Sequence, residues 1–212
     1  MKKSIVLSLM LTIGLMVVSS FDIPKGWVRA GSNPEHYDMG IDYGAGRNGK
    51  NAATIKSKVN KRAHGYGVLM QSCLPDKYLG KRIRMTGYMR SENVDGLAFF
   101  WLRADRTRPN NESPDDKNEP VYMGGGGPYK SVAIGMSIED NYENRIQGTM
   151  GWQKYDIVIE VPKFASNLAY GAYLGGTGQI WFDGISFEEV SNSVPVTENQ
   201  RLQEPKNLNF EQ

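Results

Sequence analysis

Residues 97–105, LAFFWLRAD, set Phe99, Trp101, Arg103 and Asp105 at every second position. In an extended strand those positions share one face. A ring, a cation and a carboxylate in one column suit a polyhydroxylated ligand. The ring covers apolar C–H faces, while Arg103 and Asp105 bond paired hydroxyls. Ala98, Phe100, Leu102 and Ala104 form the other face and belong to a core. A competing reading makes Trp101 an outer-face residue covered by the polar loop that follows, with Arg103 and Asp105 paired structurally. RIRMTGYMR alternates in the same way, with Ile83, Met85 and Met89 opposite Arg84, Tyr88 and Arg90. Arg84, Tyr88 and Arg90 on a neighbouring strand of the Trp101 face would complete a binding surface. That reading requires Trp101 to be exposed beside a groove.

Other candidates lie on loops, where binding groups concentrate. Tyr122 and Tyr129 bracket the Gly run of 107–128, TRPNNESPDDKNEPVYMGGGGP, and could clamp a chain-like ligand. Asn141 and Arg145, in DNYENRIQGTMGW, could reach a ligand at a rim; the alternative is turn scaffolding. Cys73 lies in the apolar run GVLMQSCL, so a buried, inert thiol is expected. As the only cysteine, it excludes an intramolecular disulfide. The two histidines, His36 and His64, are too few for a zinc site. G-x-S-x-G, H-E-x-x-H, P-loop and dinucleotide motifs are absent, which points away from an enzyme.

The elements that must position these residues read as strands. YDMGIDY, AATIKSKV, GVLMQSCL, RIRMTGYMR, LAFFWLRAD and SVAIGMSIE are strand-sized and separated by Gly, Pro, Asn and Asp clusters, the pattern of an all-β sandwich or barrel. ENVDG reads as a hairpin-like turn, and 107–128 as a long, loosely packed loop. WQKYDIVIEVP is an alternating strand with Tyr155, Ile157, Ile159 and Val161 inward. After a crossing loop, YLGGTGQIWFDGISFEEV reads as a strand, a tight Gly turn and a closing strand, with Trp181, Ile185 and Phe187 in the core.

Residues 1–20 have a basic start, an apolar run and small residues at Val18-Ser19-Ser20, the organisation of a secretory signal. Export to the periplasm or exterior is therefore expected, with no membrane span in the mature chain. Without Lys2 and Lys3 the 25 basic residues become 23, matching the 23 acidic ones. A neutral chain argues against nucleic acid as a partner. About 190 residues suffice for one core without disulfides.

The segments LAFFWLRAD, DNYENRIQGTMGWQKYDIVIEVP and YLGGTGQIWFDGISFEEV resemble, in that order, a galactose-binding-like jelly roll of the carbohydrate-binding-module type. The likeness is greatest to a little-characterised domain of bacterial exported proteins, also found beside AraC-type regulators. It implies a two-sheet antiparallel jelly-roll sandwich over 21–190, followed by a polar tail, 191–212. It also implies a non-catalytic role in binding a glycan or small carbohydrate. Related sandwiches often carry a structural calcium ion, for which Asp183 and Glu211 are the candidate ligands, with loop oxygens near 42–51; an ordinary turn Asp is the alternative. The chain departs from the pattern in its long 107–128 loop. It also carries NLNFE at 207–211, where such domains open with a similar strand. That segment is either an edge strand supplied from the other end or the start of a second module. The rival to glycan binding is a structural or protein-interaction domain without a sugar ligand.

Overall fold

The computed structural model describes residues 21–58, 65–109, 129–138 and 146–197, with backbone alone at 107–109 and 129–138. It is an all-β, antiparallel jelly-roll sandwich. Its strands are β1 (Val28–Gly31), β2 (Tyr37–Asp42), β3 (Ala52–Ser57), β4 (Tyr66–Cys73), β5 (Arg82–Pro109), β6 (Tyr129–Ile138), β7 (Ile146–Glu160) and β8 (Asn167–Glu189). Among the described residues no helix is long and apolar enough to cross a membrane.

Two long strands organise everything else. β5 and β8 run antiparallel from Ile83↔Glu189 to Asp105↔Asn167. This ribbon folds over on itself and so serves both layers. In layer one, β3 and then β2 extend from the 179–182 part of β8, and β7 lies beyond β5. In layer two, β4 and then β1 extend from the 168–175 part of β8, and β6 lies beyond β5.

The fold-over corrects two expectations. ENVDG is not a hairpin turn, and GGTG does not separate two strands; both are bends within continuous strands. Gly96, Gly176 and Gly178 have φ of 141°, 82° and 110° there. A Cβ on Gly178 would stand 2.5 Å from the Asn93 carbonyl oxygen, so two backbones meet without side chains between them. Irregular pairing between Glu92 and Asp95 accompanies the bend. Before it the inward residues of β5 are odd-numbered (Ile83, Met85, Met89); after it they are even-numbered (Ala98, Phe100, Leu102, Ala104). A bulge changes which face a strand presents, so both arms of one strand close on the same core.

The layers meet through large side chains. Phe100 of layer two stands edge-on to Phe182 of layer one, with centroids 5.9 Å apart. Gly87 makes room for it: a Cβ there would be 2.8 Å from the Phe100 ring. Ile157, Ile159 and Val161 lie in this core, with Tyr155, Ile185 and Phe187 packed against it. Trp181 is buried but points the other way, out of layer one. Its indole N–H donates to Asp42 Oδ2 at 2.6 Å, and the Arg90 guanidinium lies 3.7 Å from its ring centroid.

Other differences are local. Val28–Gly31, expected within a turn-rich entry, is a strand because it pairs with β4. β5 continues through Pro109, and β7 begins at Ile146, inside the expected loop. Cys73 is exposed rather than buried, because it ends β4 where the apolar run leaves the sheet. The start of the tail is held: Arg82 donates to the carbonyls of Asn192 and Val194, and Thr197 N–H to the Val158 carbonyl at 2.8 Å. Residues 1–20 and 207–211 lie outside the described residues.

Candidate functional site

Trp101, Arg103 and Asp105 stand together on the outer face of layer two. Arg103 donates from Nε to Asp105 Oδ1 at 2.6 Å and from Nη2 to Oδ2 at 3.1 Å. Asn167 donates to the same Oδ2 at 2.9 Å. Asp105 is 1% exposed, and both its oxygens are in use. The Trp101 ring lies 5.7 Å from the Arg103 guanidinium. It packs in a second cluster with Val68, Phe99 and Ala169, and is 9% exposed. The expected open groove beside Trp101 is therefore corrected: the side chain is buried within this cluster.

Arg84, Tyr88 and Arg90 do not lie on a neighbouring strand of that face. They occupy the same strand beyond the bend, on the outer face of layer one. Arg84 pairs with Glu188 at 2.8 Å, and Tyr88 lies beneath the Arg47 guanidinium. Tyr122, Asn141, Arg145 and Glu211 fall outside the described residues, and Tyr129 is described only as the backbone start of β6. Asp183 Oδ1 accepts the Gly184 N–H at 2.6 Å, as a turn Asp does. Among the described residues no group of three His, Cys, Asp or Glu could hold a metal ion.

A different place has the chemistry expected of the Trp101 column. The two layers part at one end of the sandwich and leave an open mouth of about 430 Å³. Trp27, Tyr170 and Phe187 form its aromatic wall, and Gln71, Asn51 and Asp183 are its polar groups. Trp27 is placed by the turn before β1, where its N–H donates to the Pro24 carbonyl at 3.0 Å. Gly26 in that turn has φ of 81°, and a Cβ there would be 2.7 Å from Gln71 Nε2. The positive φ favours glycine here, and a side chain would displace the Gln71 amide from its place in the mouth. The Trp27 ring meets Tyr170 edge-on at 5.9 Å, and Tyr170 meets Phe187 at 4.8 Å.

The polar groups are only partly used. The Tyr170 hydroxyl donates to Gln71 Oε1 at 2.5 Å, and burial, followed by the nearby Cys73, raises the Tyr170 pKa from its ordinary value. It therefore stays a neutral donor at ordinary pH. The Gln71 amide N–H₂ has no partner among the described residues. Asn51 Oδ1 accepts the Gly44 N–H at 3.2 Å, which leaves the Asn51 amide donors unpaired among them. Asp183 Oδ2 is likewise an unpaired acceptor there. The mouth thus offers apolar faces, two amide donors and one carboxylate oxygen.

In the sequence Trp27 stands out only as part of a PKGW turn, and Tyr170 and Gln71 carry no signal. Asp183, and Asn51 at the end of the 42–51 loop, are the mouth residues among the expected ligand groups, there for a calcium ion.

No family model matches the chain. A protein of Bacillus subtilis (strain 168) named as an uncharacterized HTH-type transcriptional regulator, YbfP, is 34% identical over 193 residues, covering 89% of this chain. The chain spans 57% of that protein's length. Among solved structures, the CBM22-1–GH10 modules of Clostridium thermocellum xylanase 10B, complexed with xylohexaose, superpose at TM-score 0.49 with 13% identity. The match covers 82% of this chain and 28% of that one. A putative sugar binding protein from Bacteroides thetaiotaomicron gives 0.49 and 10%, over 77% of this chain and 87% of its own.

Proposed function

We infer that this domain binds rather than catalyses, and that its ligand is a small saccharide or the end of a glycan chain seated in the mouth. One observation carries this reading. Aromatic faces from Trp27 and Tyr170 converge with unpaired hydrogen-bonding groups on Gln71, Asn51 and Asp183 in a single cavity of about 430 Å³. Preformed cavities of this kind, mostly apolar with a few placed polar groups, are the usual form of a small-ligand site. A sugar ring has the matching surface, apolar C–H patches edged by hydroxyls. Asp183 Oδ2 would accept from one hydroxyl, and the Asn51 and Gln71 amides would donate to others. Export through the 1–20 segment forms part of the same proposal.

The likeness to a protein named as a regulator favours a second reading of how such a site is used. In that reading the domain is the ligand-sensing part of a longer chain, and the chemistry of the mouth is unchanged.

The test is a glycan-array screen followed by calorimetry on the best ligand. Trp27→Ala is expected to weaken binding at least about tenfold, since stacked aromatics are typical anchors. Asp183→Ala should do the same by removing an acceptor. Absence of binding to every saccharide, or full binding by both variants, would overturn the reading and leave a protein-interaction role.

A further inference from the structure

We propose that the ligand of the mouth is an amino sugar with a free ammonium group, held by Asp183 and the aromatic wall; this rests on the saccharide reading above. Among the described residues that line the mouth, only Asp183 carries a formal charge, and none is Lys, Arg or His. Its Oδ1 accepts the Gly184 N–H, and among the described residues it forms no ion pair. Several other carboxylates are matched: Glu160 by Arg82, Glu188 by Arg84, Glu189 by Lys81 and Asp156 by Lys154. Asp42 accepts the Trp181 indole N–H. Arg47 is outside the lining and lies on the Tyr88 ring, 3.4 Å from its centroid. The mouth therefore has a negative charge that its own walls do not cancel.

The rings beside that charge do not share a plane. Trp27 and Tyr170 stand at 87° to each other, and Tyr170 and Phe187 at 68°. Trp27 is tilted by 47° against Phe182, with centroids 5.8 Å apart. Parallel rings in one plane make a platform for a run of sugar units. Rings set across one another make a corner, which encloses a compact group. Aromatic faces are electron-rich and attract a cation. A corner of rings beside a carboxylate is the environment that holds an ammonium.

The hydrogen-bonding groups divide in the same way. Gln71 Oε1 is taken by the Tyr170 hydroxyl and Asn51 Oδ1 by the Gly44 N–H. These two side chains therefore turn donors toward the ligand, which suit ring and hydroxyl oxygens. Asp183 Oδ2 is an acceptor with charge. An ammonium meets it with full opposite charge, where a hydroxyl brings only a dipole. N-acetylation removes that charge and adds bulk, so the free amine is selected over both the neutral sugar and the acetamide.

Calorimetric titration of the full chain at about pH 6, where the amine is protonated, tests this with glucosamine, galactosamine, N-acetylglucosamine, glucose, galactose and choline. The two amino sugars should bind at least about tenfold more tightly than the neutral and acetylated sugars, a gap that narrows as salt is raised. Asp183→Asn keeps the shape without the charge and should reduce the preference to within about twofold, while Asp183→Glu should keep part of it. Thermal unfolding of both variants close to wild type establishes that the fold is intact. Equal binding of glucosamine, glucose and N-acetylglucosamine would overturn the inference and leave the saccharide reading standing. A preference that survives Asp183→Asn would remove it from Asp183. Choline bound more tightly than either amino sugar would overturn the sugar assignment and leave a cation site. If no saccharide binds, the reading of the mouth fails as well.

Discussion

At the scale of single residues, proximity and availability are separate properties. Trp101, Arg103 and Asp105 sit together as their alternation requires, yet Asp105 is satisfied by Arg103 and by Asn167. Asn167 is 62 positions away in the chain, so its approach could not be read from LAFFWLRAD. The same limit hid Tyr170 and Gln71, whose partnership depends on the pairing of β4 with β8. Asp105 is then a structural group. Asp105→Asn removes the buried charge that Arg103 Nε and Nη2 bond, and should lower stability by about 1–3 kcal/mol. Urea unfolding measures that loss, and saccharide affinity of the folded protein should not change. A large affinity loss would return the ligand to the Trp101 face.

At the scale of elements, alternation located the strands, and glycine misled about their ends. Ile157, Ile159 and Val161 face the core because period-2 patterning is a direct consequence of the pleat. ENVDG and GGTG carry turn formers, but glycine serves a hairpin turn and a bulge within a strand equally well. Which one forms depends on whether a partner strand bends alongside. Here β5 and β8 bend together, and neither could be read alone. The bend should be intolerant of side chains. At Gly178 φ is 110°, and a Cβ would meet the Asn93 carbonyl at 2.5 Å and Val94 Cα at 2.7 Å. At Gly148 φ is 68° and nothing lies within 4 Å. Gly148→Ala should cost about 1 kcal/mol of backbone strain, whereas Gly178→Ala should cost about 3 kcal/mol or more. Chemical denaturation of the two variants compares them, and equal losses would mean that the ribbon does not need its close approach.

At the scale of the whole molecule, the sandwich holds several tyrosines in buried or half-buried sites. Burial is the leading cause raising the pKa of Tyr37, Tyr170 and Tyr173, and Tyr173 adds to the effect on Tyr37. The folded state therefore keeps these protons at a pH where the unfolded chain releases them. Their contribution is complete below the unfolded value of about 10 and is lost as pH rises through the higher folded values. Melting temperature should fall steeply above about pH 10, and less steeply in Tyr173→Phe. A flat profile from pH 9 to pH 11.5, values of order taken from the phenol range, would contradict this burial. The all-β class was legible because strand-length segments and turn clusters repeat along the entire chain. The mouth was not, because it is a gap between layers and exists only once both have closed.

The shared ribbon also orders events in time. β8 begins at Asn167 and is the central partner of β3, β4 and β5. A chain emerging from the ribosome N-terminus first has made β1 to β7 before either layer has its middle strand. β2 with β3, β1 with β4, and β5 with β6 and β7 can pair as fragments, but among the described residues no strand pairing other than through β8 joins them into one sheet. Such distant pairings make for slow folding. Commitment to the native state therefore waits for β8, and synthesis arrested before Asn167 leaves three pieces of sheet that no strand pairing unites, each with exposed edges.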